Sequence, residues 1–129
     1  LEGGGDIALP GGEQLVDCER ASDGLVAAVR SLEVAVETGV TVSQVTTTDA
    51  TALRLQTRYA AGVESMEGFS VLRAAAVAGV PALEVRGISN YVGERETSEW
   101  DFAAGARATA NALDAVLDVL LGAGPLPPG

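Results

Sequence analysis

Residues 62–90 read GVESMEGFSVLRAAAVAGVPALEVRGISN, and this stretch decides the predicted fold. Glu67 opens a run of Ala, Val and Leu that predicts a helix, apolar nearly all round and therefore buried on most faces. Gly79 is a natural end for this helix, and Pro81 cannot continue it. The near-continuous apolar residues 81–89 then predict a strand in a sheet that is covered on both faces.

The segments on either side extend the same alternation of helix and strand. The predicted elements are, in chain order, a helix at 23–36, a strand at 40–47, a helix at 50–60, a short strand or turn at 61–65 and, after the central stretch, a helix at 100–121. The first of these helices is capped by Ser22 or Asp23, and the next by Thr48 or Asp49. Strands alternating with helices indicate an α/β chain with a mostly parallel sheet.

Charge and composition exclude several classes of function. Eighteen acidic residues against eight basic residues give a net charge of −10, which argues against binding nucleic acid or an anionic membrane surface. The chain has no histidine, so it cannot hold a Ser-His-Asp or Cys-His catalytic pair. A single cysteine, Cys18, rules out an internal disulfide, makes a structural zinc site improbable and fits a reducing compartment such as the cytoplasm.

Two polar residues at the ends of predicted elements are candidates for a binding site. Glu67 either lies in the first turn of its helix, with Ser65 as the N-cap, or accepts two hydrogen bonds from a cis-diol such as that of ribose. Asn90 either starts a turn, or reads the edge of a base beyond the carboxyl end of a strand, where open α/β sheets bind ligands.

A nearby charged pair has a simpler interpretation. Glu84 and Arg86 lie two residues apart and share one face of the predicted strand. The sequence therefore predicts a structural ion pair between them, with pairing of Arg86 to Glu64 as the alternative.

The stretch 62–90, followed by VGERETSEWDF at 92–102, resembles the nucleoside phosphorylase and nucleosidase superfamily, and within it the futalosine hydrolases. The resemblance rests on the Met-Glu pair that opens a buried helix and on the VRGISN strand end, and it extends from about Val40 to Phe102. It implies a three-layer αβα domain with a mixed, mostly parallel central sheet. It also implies hydrolysis of the N-ribosidic bond of futalosine, a step on one route to menaquinone, with no cofactor and no metal.

The resemblance assigns roles to individual residues. Met66 would pack against the sugar, Glu67 would bind its 2′- and 3′-hydroxyls, and Asn90 would be the catalytic contact to N7 and O6 of the purine. Adenine nucleosidases of the superfamily carry aspartate where this chain has Asn90, and an amide cannot transfer a proton, so hypoxanthine is favoured over adenine. The remaining implied positions are Thr47 near the sugar or water, Ala50 and Thr51 at the base, and Phe69 as an alternative wall.

The same resemblance predicts an incomplete domain. The superfamily fold begins with a strand–helix half, which supplies the carboxylate that positions water, and this sequence lacks that half. We therefore expect 1–129 to be one partial α/β domain, the C-terminal part of a larger enzyme or a truncated relative, with an irregular segment at 1–20 and a flexible tail at 122–129. A sheet cut short leaves apolar surface and a bare strand edge, so we expect a homo-oligomer, a dimer or higher.

Two other functions stay open at this point. A phosphorylase would need an anion site, and few basic residues lie near the motif, the nearest being Arg54, Arg58 and Arg73. A non-catalytic remnant that still binds a nucleoside is the alternative from a different class.

Overall fold

The computed structural model describes residues 16–94 and 100–122, so the predictions for 1–15 and 123–129 lie outside the described residues. Its elements are α1 (Asp23–Val29), β1 (Gly39–Thr41), α2 (Asp49–Tyr59), β2 (Val63–Ser65), α3 (Gly68–Ala78) and α4 (Phe102–Gly122). The two strands pair in parallel, with Gly39 opposite Val63 and Thr41 opposite Ser65. The α/β alternation and the parallel pairing are confirmed, with two strands in the described sheet.

A small apolar core lies between helices at the two ends of the described chain. Leu25 and Val29 of α1 are buried, as is Val116 of α4, and α1 packs against α4. The helix predicted at 23–36 therefore turns Leu25 and Val29 toward the core. The helix ends at Val29 rather than at Val36, which is 53% exposed, because i→i+3 bonds close its last turn, among them Leu32 N–H to the carbonyl of Val29 at 3.0 Å.

The cap of α2 resolves one of the predicted alternatives. Thr48 is the capping residue, and its hydroxyl accepts the Thr51 N–H at 3.3 Å. Asp49 lies in the first turn, where a carboxylate interacts favourably with the helix dipole. Because Thr48 is the cap, the Asp49 side chain is left for contacts outside its own helix.

The predicted burial of the apolar helix is wrong. α3 begins and ends close to the predicted residues, with Gly79 in the left-handed conformation at φ 66°. Val71 is 64% exposed, Val77 is 72% exposed, and Gly68 is the buried residue of this helix. The described sheet has two strands and α3 packs against β1, so one side of the helix is covered and the other is not.

The predicted strand at 81–89 is not formed, and the predicted strand at 40–47 is reduced to β1. A strand requires a neighbouring ladder, and the described part of the chain offers none to residues 81–89. Their backbone groups bond to other elements instead. The carbonyl of Ala82 accepts the Ser22 N–H, the Gly87 N–H donates to the Thr109 hydroxyl, and the carbonyl of Ser89 accepts the Asp101 N–H, each at 2.8 Å.

Residues 81–89 approach α4 most closely where two glycines face each other. A β-carbon on Gly87 would clash with the Gly105 carbonyl and would lie 2.6 Å from the Thr109 hydroxyl. The Thr109 hydroxyl itself donates to the Gly105 carbonyl at 2.9 Å. This close contact fixes the segment against the helix three residues before Asn90.

Among the helices of the described ranges, none combines the length and the apolarity that a membrane span requires.

Candidate functional site

The carboxyl ends of the two parallel strands lie at the same edge of the small sheet. Thr41 ends β1 and Ser65 ends β2, and these two residues are register partners. The loop at 42–48 leaves β1 at this edge, and Met66 and Glu67 leave β2 there. This edge is where α/β proteins bind ligands. The predicted site residues fall into three segments: the first contains Thr47, Ala50 and Thr51, the second contains Met66, Glu67 and Phe69, and the third contains Asn90. The first two segments start from this edge.

The N-terminus of α3 is capped by hydroxyls from both strands. The Ser65 hydroxyl accepts the Gly68 N–H at 3.3 Å, and the Thr41 hydroxyl accepts the Phe69 N–H at 2.9 Å. The two hydroxyls lie 3.4 Å apart, and Ser65 is only 8% exposed. The prediction of Ser65 as the N-cap with Glu67 in the first turn is wrong in position, because Glu67 is the N-cap, but the Ser65 hydroxyl does accept an amide at the helix start. The part played by Thr41 was missed, because its strand lies 27 residues or more before the helix in the sequence.

Glu67 occupies the N-cap position, but its side chain makes no capping bond. The side chain is exposed, and it forms no hydrogen bond or ion pair with the described residues. Met66 beside it is 47% exposed, and Phe69 is half-buried. A carboxylate that is not used by its own helix keeps both oxygens as acceptors for a ligand.

Glu64 has a structural role that the sequence did not reveal. One carboxylate oxygen accepts the Thr46 N–H at 2.9 Å, and the other accepts the Thr46 hydroxyl at 2.5 Å. These two bonds tie the loop at 42–48 to β2, so Glu64 is the partner of Thr46 and not of Arg86.

The predicted ion pair between Arg86 and Glu84 is confirmed. Arg86 Nε lies 2.8 Å from Glu84 Oε1, and both side chains are partly exposed. The other carboxylate oxygen of Glu84 lies against Gly68 at the start of α3, so that a β-carbon at Gly68 would clash with it. The pair therefore joins residues 81–89 to the turn that carries Glu67.

Asn90 is half-buried and makes two local hydrogen bonds. Its Oδ1 accepts from the Ser89 hydroxyl at 2.7 Å, and its Nδ2 donates to the carbonyl of Tyr91 at 2.8 Å. One N–H and one oxygen lone pair of the amide remain for other partners. The turn interpretation and the base-reading interpretation of Asn90 both fit these bonds.

The residues after Asn90 contact the start of α2. The Gly93 N–H donates to the carbonyl of Thr46 at 3.2 Å, and the Glu94 N–H donates to Asp49 Oδ1 at 3.1 Å. Sequence reasoning considered Asp49 only as a helix cap and gave Thr46 no role. Two features of the sequence could have pointed to this contact. Thr48 and Asp49 can both cap α2, so one of them is left for another role, and a glycine, Gly93, interrupts the polar loop after Asn90.

The three predicted site segments are brought together through Thr46. This residue bonds to Glu64, which precedes Met66 and Glu67, and to Gly93, which follows Asn90. Among the described residues, no hydrogen bond joins the Glu67 carboxylate directly to the Asn90 amide.

The remaining predicted residues lie at the loop and the first turn of α2. Thr47 and Ala50 are exposed. Thr51 is half-buried, and its hydroxyl accepts from the Thr48 hydroxyl at 3.0 Å.

A cavity of about 350 Å³ lies elsewhere, and no predicted site residue lines it. Its walls are formed by Arg20, Ser22, Leu72, Ala76, Gly79, Val80, Pro81 and Ala82. Within residues 16–94 and 100–122, no three His, Cys, Asp or Glu residues come together as a metal site.

Two of the three arginines nearest the motif, Arg58 and Arg73, have contacts within the described residues. Arg73 pairs with Glu19 at 2.7 Å, and the Arg58 guanidinium lies 5.3 Å from the centre of the Tyr59 ring.

A family model and the curated relatives point to the same superfamily. A family model described as the phosphorylase superfamily matches residues 5–121. A futalosine hydrolase of Streptomyces coelicolor is 42% identical over 84 residues, covering 64% of this chain and 36% of the relative. One of Acidothermus cellulolyticus is 44% identical over 78 residues (60% and 32%), and one of Thermus thermophilus is 35% identical over 88 residues (68% and 39%).

The chain spans between 32% and 39% of the length of these curated relatives. No solved structure shows a significant match.

Proposed function

The chain belongs to the phosphorylase superfamily, and from that premise we propose that its protein hydrolyses the N-ribosidic bond of a 6-oxopurine nucleoside. The proposed substrate is futalosine, and the products are hypoxanthine and dehypoxanthinyl futalosine. One observation carries this proposal: the Glu67 carboxylate stands at the start of α3 with no bond to its own helix, because Ser65 and Thr41 cap that helix. The likeness to three futalosine hydrolases supports the choice of substrate.

Glu67 is proposed to hold the sugar. A carboxylate accepts two hydrogen bonds at the separation of the 2′- and 3′-hydroxyls of ribose, and a charged acceptor makes each bond stronger. The bonds of Ser65 and Thr41 to the amides of Gly68 and Phe69 hold the backbone of the turn that carries Glu67. Met66, next to it and half-exposed, would pack against the sugar ring.

Asn90 is proposed to contact the leaving base. As the N-ribosidic bond breaks, negative charge develops on the purine, and hydrogen bonds that strengthen with that charge lower the barrier. The free N–H of the Asn90 amide can donate to N7 or O6. Because an amide cannot transfer a proton, Asn90 stabilises the charge on the base rather than neutralising it.

None of the described residues is assigned to activate the attacking water. Glu64 is occupied by both of its bonds to Thr46, and Asp49 is bonded to the Glu94 N–H. We propose that this group lies in the part of the family's length that the chain does not span, together with the remaining strands of a three-layer αβα domain.

The wider assignment rests on fewer observations. The exposed apolar residues of α3, among them Val71 and Val77, support association into a homo-oligomer. A single cysteine fits a cytoplasmic enzyme, and hydrolysis of futalosine would place it on a route to menaquinone.

The proposal is tested by an assay of hypoxanthine release from futalosine on the natural full-length protein, with and without phosphate. We expect release at the same rate in both conditions. Strict dependence on phosphate would identify a phosphorylase. Futalosine that binds in a calorimeter but is not cleaved would favour a non-catalytic nucleoside-binding protein.

A substitution at Asn90 tests the choice of base. Asn90→Asp removes the N–H bond to the Tyr91 carbonyl and places a negative charge beside O6 of hypoxanthine. We expect hypoxanthine release to fall about tenfold, because a hydrogen bond to the purine is lost as the purine gains negative charge. The rate of adenosine cleavage relative to that of futalosine should rise. Asn111→Asp, on an exposed turn of α4, is the matched control and should change neither quantity. An unchanged ratio in Asn90→Asp would show that Asn90 only starts a turn.

A further inference from the structure

Asp49 makes a long-range contact that its own helix does not require. Thr48 caps α2, so the Asp49 carboxylate is not needed for the first-turn amides. Its Oδ1 instead accepts the N–H of Glu94, a residue 45 positions later in the chain.

The backbone at Gly93 is shaped around this carboxylate. Gly93 is buried and adopts a φ of 112°, which residues with a β-carbon rarely adopt. A β-carbon there would clash with Asp49 Oδ1 and would lie 3.3 Å from Asp49 Cγ. The Gly93 N–H donates to the Thr46 carbonyl, so two consecutive amides are held by the start of α2 and the loop before it.

These contacts bracket Asn90. On one side, the Ser89 carbonyl accepts the Asp101 N–H at 2.8 Å; on the other, Gly93 and Glu94 bond to Thr46 and Asp49. Thr46 is in turn bonded to Glu64. The position of the Asn90 amide relative to the Glu67 turn is thus set through Asp49 and Thr46.

We propose that Asp49 is a positioning residue, which fixes the Asn90 amide for its contact with the leaving base by holding the Gly93–Glu94 backbone. Asp49 touches no substrate in this scheme and acts through residues 90–94. The catalytic part of this inference rests on the proposed function, whereas the backbone contact does not.

The experiment uses the natural full-length protein and three substitutions at Asp49. Asp49→Ala removes the acceptor. Asp49→Glu keeps the charge at the helix start, and so protects folding, but moves the carboxylate by one methylene. Asp49→Asn keeps an oxygen acceptor in place. Asp23→Ala, which removes the equivalent first-turn carboxylate of α1, is the matched control.

Two quantities are measured for each variant: the hydrogen-exchange rates of the Gly93 and Glu94 amides, and kcat and KM for hypoxanthine release from futalosine. In Asp49→Ala and Asp49→Glu we expect exchange at Glu94 to rise and kcat to fall, each by roughly tenfold, while KM changes little. Asp49→Asn should restore most of both, and Asp23→Ala should alter neither.

Unchanged exchange at Glu94 in both Asp49→Ala and Asp49→Glu would overturn the contact. Faster exchange with an unchanged kcat, or an equal loss of kcat in Asp23→Ala, would overturn the positioning role. A wild-type protein that releases no hypoxanthine would instead refute the proposed function and with it the catalytic part, and the exchange rates would then decide the contact alone.

Discussion

The turn that carries Glu67 and the segment that carries Asn90 are held in place by different kinds of contact. The turn at 64–69 is fixed by hydroxyls of the two paired strands and by its own helix. Residues 81–94 have no ladder and are fixed at separate points by residues far away in the chain, such as Thr109 and Asp49. The sugar half of the proposed site therefore rests on the paired strands and the helix that follows them, whereas the base half rests on isolated tertiary contacts.

The largest expected effect comes from disrupting, at Gly87, the contacts that hold the base half of the site. Gly87→Ala adds a β-carbon that clashes with the Gly105 carbonyl, and backbone atoms cannot move aside cheaply. We expect the free energy of unfolding to fall by about 2–3 kcal/mol, measured by urea denaturation. Gly122→Ala, at a position with open space around it, is the control and should be neutral or slightly stabilising. A loss no larger than that of the control would show that residues 81–89 are not held by α4.

The second prediction separates ligand binding from stability in the sugar half of the site. Glu67→Gln keeps the size of the side chain and removes the charge that strengthens both proposed bonds to ribose. We expect kcat/KM for futalosine to fall roughly ten- to a hundredfold, since a hydrogen bond to a charged group contributes about 1.5–3 kcal/mol. The melting temperature should stay almost unchanged, because the Glu67 side chain makes no capping bond.

The opposite result would restore the capping interpretation. If Glu67→Gln lowers the melting temperature and leaves futalosine cleavage unaffected, the carboxylate serves the helix and not the sugar. Glu33→Gln, at an exposed position after α1, controls for the loss of one negative charge.

The smallest effect is expected at the cap itself. Ser65→Ala removes the acceptor of the Gly68 N–H from a buried position. We expect a loss of about 1 kcal/mol in the free energy of unfolding, the usual cost of removing a helix cap. Ser70→Ala, in the first turn of α3 and exposed, should cost much less. Equal losses at the two serines would mean that Ser65 does not cap α3.

The same contrast explains what the sequence could predict. The start of α2 and the end of α3 follow from Thr48 and Gly79, because each is decided by bonds within a few residues, whereas the start of α3 also depends on Thr41 of β1. The site residues on loops were placed by resemblance to a family, and the family is confirmed. Their roles stay predictions.

The errors have a common physical cause. An apolar pattern states that residues 81–89 and α3 can be buried, but it does not state what is present to bury them. The described chain supplies two paired strands and leaves Val77 largely exposed. Thr46 and Asp49 were missed for a related reason, since their partners lie 18 to 47 residues away and no local pattern encodes the pairing.

The contact between Gly87 and Gly105 also makes chain length matter near the site. Arg86 and Ile88 flank Gly87, so sliding residues 81–89 along α4 by one position would press a large side chain against the Gly105 carbonyl. The contact between the two glycines thus allows a single register of residues 81–89 on α4, and Asn90 lies three residues after Gly87. One inserted residue between Gly87 and Asn90 would displace the amide by up to about 3.5 Å, more than the length of a hydrogen bond, even if every side chain were kept.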